Sequence, residues 1–372
     1  MIFVLYIIIL LYCLAIAVLI YGFTKINSFE YTGLKPKTKF SIIVPFRNEA
    51  KNLPILLNSF SKLNYPMELF EVILVDDESS DGFDISIPIA IGIKFKVSVI
   101  KNVRVSNSPK KDAIVSAMQQ VTTDWIITTD ADCTVNKDWL LTVDNYIQLH
   151  SVSMIAGAVT YDGQDSFLHH FQQLDLASLQ GATIGSFGIK KAFMCNGANL
   201  AYTKTLFQEL NGFEGNDIIA SGDDVFLLQK AVAKSPEKVH YLKSENTIVT
   251  TKPLNSWRSL FYQRVRWASK TSSYQSSFGK ALGLLVFAGN LCWLMVYVCW
   301  LLGLTAFQNV ILLFIVKFTV DSILIKKTNR FLIKTKTHHL ILSSLWYPFF
   351  SVSVALYSLF GKYEWKGRRF KI

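Results

Sequence analysis

The chain has 372 residues, enough for one large domain with accessory elements. Its hydrophobic content of 51% and mean hydropathy of +0.31 are too high for an ordinary soluble enzyme. The net charge of +11 comes mainly from lysine and arginine clusters beside apolar segments. This arrangement suits a partner surface of anionic lipid headgroups and argues against nucleic acid as a partner.

The first predicted element is an uncharged run over residues 2–23, which is long enough to cross a bilayer as a helix. We interpret residues 1–24 as a retained transmembrane anchor, because no basic residue precedes the run and no small-residue cleavage pattern follows it. By the positive-inside rule, the chain after the anchor faces the cytoplasm. Residues 25–39, with Gly33, Pro36 and several lysines, form a short linker.

Residues 40–270 alternate short apolar runs with helix-like segments, which is typical of βαβ units and a mostly parallel sheet. One segment carries apolar residues at helical spacing, namely Leu53, Leu56, Leu57, Phe60 and Leu63. Strands are predicted at 40–44, 72–75, 97–100, 125–129 and 154–159. Open α/β sheets bind ligands at the carboxyl ends of their strands, so the polar residues there are the candidate site.

Polar residues follow the first two predicted strands. Pro45, Arg47 and Glu49 come after the first strand, and Asp76 and Asp77 end the second. Because neighbouring parallel strands end at the same edge of a sheet, these residues are expected to lie together.

Two more carboxylates, Asp130 and Asp132, follow the strand predicted at 125–129. Their spacing suits a hard divalent cation, Mg²⁺ or Mn²⁺, which is held by one or two carboxylates and the phosphates of a substrate. The alternative is a solvated turn, since an isolated pair of this spacing also occurs by chance.

A third acidic pair, Asp223 and Asp224, precedes a segment of helical character. Such a pair can supply a general base, or it can simply stabilise the start of the helix by capping and by the helix dipole. Further on, Gln263, Arg266 and Trp267 stand just before the second apolar region. Trp offers a flat face for a sugar and Arg a charge for a diphosphate, although an interfacial helix has the same composition.

The C-terminal region, residues 271–372, contains candidate spans at about 281–306, 308–325 and 340–360, followed by a basic tail. Lys317 and Asp321 lie on one helical face of the middle span, and we interpret them as a structural pair. Three spans after a cytoplasmic domain would place the basic tail outside. The sequence leaves open whether one span is interfacial or re-entrant, with Pro348 as a candidate break.

Together these motifs resemble membrane-integrated family 2 glycosyltransferases. VPFRNE, ILVDDESSDG, the DAD of WIITTDADC, the acidic pair of SGDDVF and the QxxRW pattern of QRVRW occur in the family's order. The pattern is similar to that of cellulose, chitin and hyaluronan synthases and of ceramide glucosyltransferases. The resemblance implies a GT-A fold, which is α/β and Rossmann-like with a mostly parallel sheet, here flanked by transmembrane helices.

The resemblance also implies a reaction and roles for individual residues. It implies inverting transfer of a hexose from a nucleotide sugar, most simply a UDP-sugar, with metal at Asp130 and Asp132. Asp224 is then the general base, with Asp223 as its alternative. The implied donor-binding residues are Pro45, Arg47, Glu49, Asp76, Asp77, Lys110 and Asp130, and the implied diphosphate or acceptor contacts are Asn196, Gly197, Asn199, Gln263, Arg266 and Trp267.

The acceptor is less defined than the donor. We expect a membrane-associated lipid or glycan acceptor in the synthesis of bacterial cell-envelope glycans or glycolipids, with the catalytic domain in the cytoplasm. An alternative is a processive polysaccharide synthase that works as an oligomer or with a partner subunit, since three or four spans are few for a channel. A non-catalytic membrane protein that binds a nucleotide or a partner is a third interpretation, weakened by the presence of every acidic motif.

Overall fold

The computed structural model describes residues 2–84, 92–163, 166–217, 219–334, 337–366 and 368–371. It divides into a sheet unit, Asn27–Asp162 and Met194–Lys252, and a helical unit, Met1–Ile26, Gly163–Phe193 and Pro253–Ile372. Residues 163–193 and 253–270, which we assigned to the sheet domain, therefore group with the helices. Residues 335 and 336, between the last two predicted spans, and residues 367 and 372, in the predicted basic tail, lie outside the described residues.

The sheet unit alternates strands and helices, as the apolar runs predicted. Its strands are β1 (Phe40–Phe46), β2 (Phe70–Asp76), β3 (Lys96–Lys101), β4 (Trp125–Thr128), β5 (Cys133–Thr134), β6 (Met154–Ala156), β7 (Val159–Tyr161), β8 (Leu200–Thr203), β9 (Val239–Tyr241) and β10 (Val249–Thr251). Its helices are α2 (Leu53–Phe60), α3 (Pro109–Met118), α4 (Trp139–Leu149), α6 (Lys204–Glu209) and α7 (Asp223–Lys234).

Seven of these strands form one sheet in the order β3-β2-β1-β4-β8-β6-β9. The pairs β3–β2, β2–β1, β1–β4 and β6–β9 are parallel, whereas β8 runs antiparallel to both β4 and β6. The prediction of an α/β fold with a mostly parallel sheet is therefore confirmed. The carboxyl ends of β1, β2 and β4 share one edge, which positions the residues that follow them.

The run 154–159, predicted as a single strand, is instead two strands in different sheets. β6 belongs to the seven-stranded sheet, and β7 belongs to a three-stranded sheet with order β5-β10-β7. The break falls at Gly157, where a Cβ atom would lie 2.4 Å from Nδ2 of Asn199. The chain can turn there because glycine has no side chain to collide with that amide.

The core of the sheet unit includes the helix predicted from its apolar spacing. In α2 the side chains of Leu53, Leu56, Leu57 and Phe60 are buried, as i, i+3, i+4 periodicity requires. Phe60 also lies parallel to Trp139 of α4, with ring centroids 6.3 Å apart. This packing fixes the loop that connects β1 to α2 and carries Glu49.

The helical unit contains six helices and a terminal hairpin among its described residues: α1 (Ile2–Lys25), α5 (Phe167–Gly188), α8 (Trp257–Ser269), α9 (Ser277–Leu301), α10 (Phe307–Leu332), α11 (Leu340–Phe360), β11 (Lys362–Trp365) and β12 (Arg368–Lys371). Four of these helices, α1, α9, α10 and α11, are long and apolar enough to cross a membrane. α10 continues to Leu332, beyond the predicted end of its span at 325. α11 is continuous through Pro348.

Helices α1 and α5 approach each other closely through glycine. A Cβ atom on Gly22 would lie 2.1 Å from the carbonyl oxygen of Gly185, and one on Gly185 would lie 2.4 Å from that of Leu19. Small residues that let helix backbones touch are typical of packing within membranes. The two helices are therefore held at a separation that admits no larger side chain.

Two charged side chains of α10, Lys317 and Asp321, are paired with each other. Lys317 Nζ donates to Asp321 Oδ2 at 2.6 Å, and Tyr12 Oη donates to the other carboxylate oxygen at 2.6 Å. The structure thus places the two charges where a structural pair was expected, one helical turn apart.

Candidate active site

A lysine and a carboxylate meet beyond the carboxyl end of β4. Lys110, in the first turn of α3, reaches Asp130 with its Nζ 2.6 Å from Oδ1, and the same Nζ lies 3.4 Å from Oδ2 of Asp223. Burial alone would lower the pKa of the Lys110 ammonium, but Asp130, Asp223 and Asp224 together raise it above its usual range. Lys110 is therefore a fixed positive charge among three carboxylates from two parts of the chain.

Asp224 is held at the start of α7 by two backbone N–H groups. Its Oδ2 accepts from Gly197 at 2.9 Å, and its Oδ1 accepts from Val225 at 2.7 Å. Gly222, immediately before the helix, has φ +86°, a left-handed conformation that glycine adopts without strain. This turn delivers both acidic residues into the first turn of the helix, where the dipole favours negative charge.

Gly197 lies close to the side chains of Lys110, Asp223 and Asp224. A Cβ atom on it would lie 2.9 Å from Asp223 Oδ2 and 3.1 Å from Lys110 Nζ. Its carbonyl oxygen accepts a hydrogen bond from Thr128 Oγ1, at the end of β4, at 2.8 Å. The sequence pattern predicts Gly197 as a contact. A side chain at this position would displace Asp223 and Lys110, which accounts for a glycine here.

Asp130 and Asp132 have the donor chemistry for a hard divalent cation. The Asp130 side chain is 41% exposed, and Asp132 is half-buried, so both carboxylates are accessible. Within the described residues no group of three or more His, Cys, Asp or Glu side chains could hold a metal unaided. The pair fits Mg²⁺ or Mn²⁺, which binds through one or two carboxylates and completes its shell with water and substrate phosphates.

Arg47 joins the loops that follow β1 and β2. Its Nη1 donates to the backbone carbonyls of Asp77 at 2.6 Å and Glu78 at 2.7 Å. Asn48 supports the same junction, because its Oδ1 accepts from the Ser80 N–H at 2.8 Å. The guanidinium of Arg47 therefore organises the loop predicted to bind the donor.

The predicted donor-binding carboxylates also have protein partners. Glu49 is buried and accepts from Asn52 Nδ2 at 2.6 Å, and Asp76 accepts from the Ser79 N–H at 2.9 Å. Asp77 accepts from Asn102 Nδ2 at 2.8 Å. These bonds fix the carboxylates at the predicted edge of the sheet, near the half-buried Pro45 at the end of β1.

Two residues near Asp77 were missed by the sequence reasoning. Asn102 follows β3, and Arg104 lies 3.5 Å from Asp77 Oδ1 and 3.3 Å from Asp112 Oδ2. The signal that could have found them is their place after a predicted strand, since polar residues there share the ligand-binding edge. They add an amide and a guanidinium to the site.

Asn199, predicted as a substrate contact, is instead a packing residue. Its Nδ2 donates to the carbonyls of Ala158 at 2.8 Å and Thr247 at 2.7 Å, and its Oδ1 accepts from Trp139 Nε1 at 3.2 Å. Because its amide protons are committed inside the core, we leave it out of the proposed contacts. Asn196 lies at the start of the same turn and is half-buried.

Gln263, Arg266 and Trp267 belong to α8 in the helical unit. The residue between them, Arg264, stacks its guanidinium over the Trp267 ring at 4.2 Å and donates to Gln263 Oε1. Arg264 Nε also bonds Asp175 Oδ2 of α5 at 2.5 Å in a buried ion pair. One face of Trp267 is thus covered by arginine.

Comparison with known proteins finds a family similar to one segment of the chain. Residues 41–210 match the family described as Glycosyl transferase family 2. The matched segment begins in β1, contains Asp130 and Asp132, and ends after α6. Asp223, Asp224 and α8 lie beyond it.

Two relatives match shorter segments. Poly(ribitol-phosphate) beta-N-acetylglucosaminyltransferase TarS of Staphylococcus aureus is 34% identical over 30% of this chain and 19% of its own length. Undecaprenyl-phosphate 4-deoxy-4-formamido-L-arabinose transferase of Yersinia enterocolitica is 37% identical over 25% of this chain and 29% of its own length. The chain therefore matches about a fifth of the length of the first and under a third of the second.

A solved structure resembles nearly the whole chain in fold. Mannosyltransferase PcManGT from Pyrobaculum calidifontis, determined in complex with GDP-Man and Mn²⁺, aligns with 95% of this chain and 99% of its own. The TM-score is 0.60 and the sequence identity is 15%. At that identity the similarity establishes the fold.

Proposed function

We propose that the chain, whose residues 41–210 match the family described as Glycosyl transferase family 2, moves a hexose from a nucleotide sugar to a membrane-associated lipid or glycan acceptor. The proposed donor is a UDP-sugar and the proposed course is inversion at the anomeric carbon. The proposed setting is a bacterial membrane, with the sheet unit in the cytoplasm. Four helices that could cross a membrane support this setting.

The observation that carries the proposal is the cluster of Lys110, Asp130, Asp223 and Asp224. Its ammonium and carboxylates come from α3, the end of β4 and the start of α7. Lys110 lies within ion-pair distance of Asp130 and Asp223, and the charge of Asp224 also raises the pKa of Lys110. A donor diphosphate requires positive charge, and an acceptor hydroxyl requires a base. The cluster supplies both types of group at the ligand-binding edge of the sheet.

Asp224 is the proposed general base. The N–H groups of Gly197 and Val225 fix its carboxylate before the acceptor arrives. A carboxylate oriented in this way can take the proton of an acceptor hydroxyl while that oxygen attacks the anomeric carbon and the nucleoside diphosphate leaves. Asp223, bound to Lys110, is less available for the same task.

Asp130 and Asp132 are the proposed holders of a divalent cation. A bound Mg²⁺ or Mn²⁺ would neutralise the departing diphosphate as a Lewis acid. The Mn²⁺ in the mannosyltransferase of similar fold supports this choice. Because that mannosyltransferase was determined with GDP-Man, the transfer assay includes both UDP- and GDP-sugars.

The test is a transfer assay on membranes that contain the full chain. The membranes are incubated with radiolabelled UDP- and GDP-sugars in Mg²⁺ or Mn²⁺, and label is measured in the organic and the polymeric fractions. The proposal expects label in the organic phase or on a short glycan, abolished by chelation and restored by the added cation.

The matched variants are Asp224→Asn, within the cluster, and Asp124→Asn, an exposed residue before β4. Transfer should disappear only in the first. Long polymer would instead favour a processive synthase. The absence of both transfer and free nucleoside diphosphate, in every donor and cation combination, would overturn the proposal.

A further inference from the structure

The helical unit contains a cavity of about 130 Å³. It is lined by α1, α5, α9, α10 and α11, and most of its surface is apolar. Leu19, Phe171, Leu282, Phe314 and Leu340 are among its lining residues. A cavity of roughly 150 Å³ with a lining of this kind binds benzene-sized apolar groups. The space suits a short length of hydrocarbon chain.

Two buried hydrogen-bond donors line this cavity. Trp293 of α9 and Ser343 of α11 are each 5% exposed. Within the described part of the chain, neither Trp293 Nε1 nor Ser343 Oγ has a hydrogen-bond partner. Leaving such groups unsatisfied destabilises a protein, most of all where the surroundings are apolar. Their presence in a cavity wall indicates a ligand that carries acceptor oxygens.

The charged residues of the cavity favour a neutral ligand over an anionic one. Lys317 is bound to Asp321, whose other oxygen accepts from Tyr12, so the charges of the ion pair cancel. Asp175, which also lines the cavity, is paired with Arg264. A phosphate in the cavity would be repelled by the Asp321 carboxylate. Lys317 is already paired with that carboxylate, so it is not available to balance the added negative charge. Ester carbonyls accept hydrogen bonds and carry no charge, which fits the two donors.

We propose that the cavity binds one acyl-ester segment of a membrane glycerolipid. The hydrocarbon chain fills the apolar space, and ester oxygens accept from Trp293 Nε1 and Ser343 Oγ. The proposal goes beyond the transfer reaction and does not depend on it. The helices that line the cavity include the four that could cross a membrane among the described residues, which places glycerolipids within reach.

The test measures lipid binding to the delipidated full chain in detergent by native mass spectrometry. The three probes are dioleoylglycerol, its dialkyl ether analogue without carbonyl groups, and a polyprenyl phosphate. We expect the diester to bind about 5- to 10-fold more tightly than the diether, because one or two hydrogen bonds are lost. Equal binding of the two, or preferential binding of the polyprenyl phosphate, would overturn the proposal.

Conservative variants connect this binding to the two donors. Trp293→Phe and Ser343→Ala should each weaken diester binding several-fold and leave diether binding unchanged. The controls on α11 are Trp346→Phe, at an exposed tryptophan, and Ser353→Ala, at an exposed serine, and neither should change either affinity. Thermal unfolding of every variant checks that the fold is retained. A uniform loss of both lipids would assign the two residues to packing and contradict the proposal.

Discussion

One ion pair in the sheet unit and one in the helical unit differ in their exposure to water. In the sheet unit, Lys110 binds an Asp130 side chain that is 41% exposed. In the helical unit, the side chains of Arg264 and Asp175 are 6% and 4% exposed. A carboxylate open to water can exchange a lysine for a metal or a substrate, whereas breaking a covered pair leaves a charge buried without compensation. Exposure therefore distinguishes ion pairs suited to chemistry from those suited to structure.

The strongest test of this comparison is Asp224→Asn. We expect the transfer rate to fall about 10²- to 10⁴-fold, because the variant lacks a proton acceptor. Donor affinity and the unfolding temperature should stay close to wild type, since the amide oxygen can still accept from Gly197. Transfer kinetics, donor binding and thermal unfolding measure the three quantities. A variant that transfers normally would remove Asp224 from the mechanism.

Asp175→Ala tests the opposite behaviour in the helical unit. Because it leaves Arg264 buried without its carboxylate, the free energy of unfolding should fall by about 3–5 kcal/mol. Chemical denaturation in detergent measures the change, with Lys326→Ala at an exposed position of α10 as the control. The double replacement of Asp175 and Arg264 by apolar residues should recover part of the loss. Full stability in the single variant would contradict a structural role.

Gly197→Ala in the sheet unit is compared with a glycine-to-alanine substitution in the helical unit. Its new methyl group would displace Asp223 and Lys110, and a displacement of about 1 Å in such a site can reduce the rate roughly 100-fold. We expect a 10- to 100-fold loss of transfer, by the same reasoning. Gly283→Ala in α9 is the control, because its Cβ would meet Thr271 at an ordinary 3.4 Å. Equal activity of both variants would refute the steric role of Gly197.

The smallest effect is expected for Glu209→Gln, at an exposed pair on the sheet unit. Glu209 Oε2 lies 2.8 Å from Lys234 Nζ, with both side chains over 40% exposed. The hydrogen bond and charge of Lys234 lower the pKa of Glu209 in the folded protein. The contribution of Glu209 to stability is therefore present above its pKa in the unfolded chain, and it is lost as the pH falls through the lowered pKa. No resolvable change in unfolding temperature at neutral pH is expected. A clear shift would show that exposed pairs also stabilise this fold.

The sequence predicted the features that depend on neighbouring residues. Apolar runs located β1, β2 and β4, and the helical spacing of Leu53 to Phe60 located α2. The acidic motifs could be assigned to one edge of the sheet because parallel strands end together. The roles of individual carboxylates in donor or metal binding stay predictions.

The remaining features depend on contacts between distant parts of the chain. Asn199 is a packing residue because Trp139 and Thr247 lie beside it, and neither neighbour is apparent from the turn that contains it. Likewise, the QRVRW segment does not indicate that Arg264 pairs with Asp175, 89 residues earlier. Local patterns specify which residue types occur at a site. Long-range packing decides which of those residues are already hydrogen-bonded or ion-paired within the protein.

The position of β8 in the sheet has a consequence for synthesis of the protein. β8 lies between β4 and β6 and is hydrogen-bonded to both, yet the chain makes it only after α5. Until the ribosome has produced α5, the sheet lacks the strand that joins its two halves. The order of translation therefore couples closure of this sheet to the prior emergence of a helix that packs against the N-terminal α1.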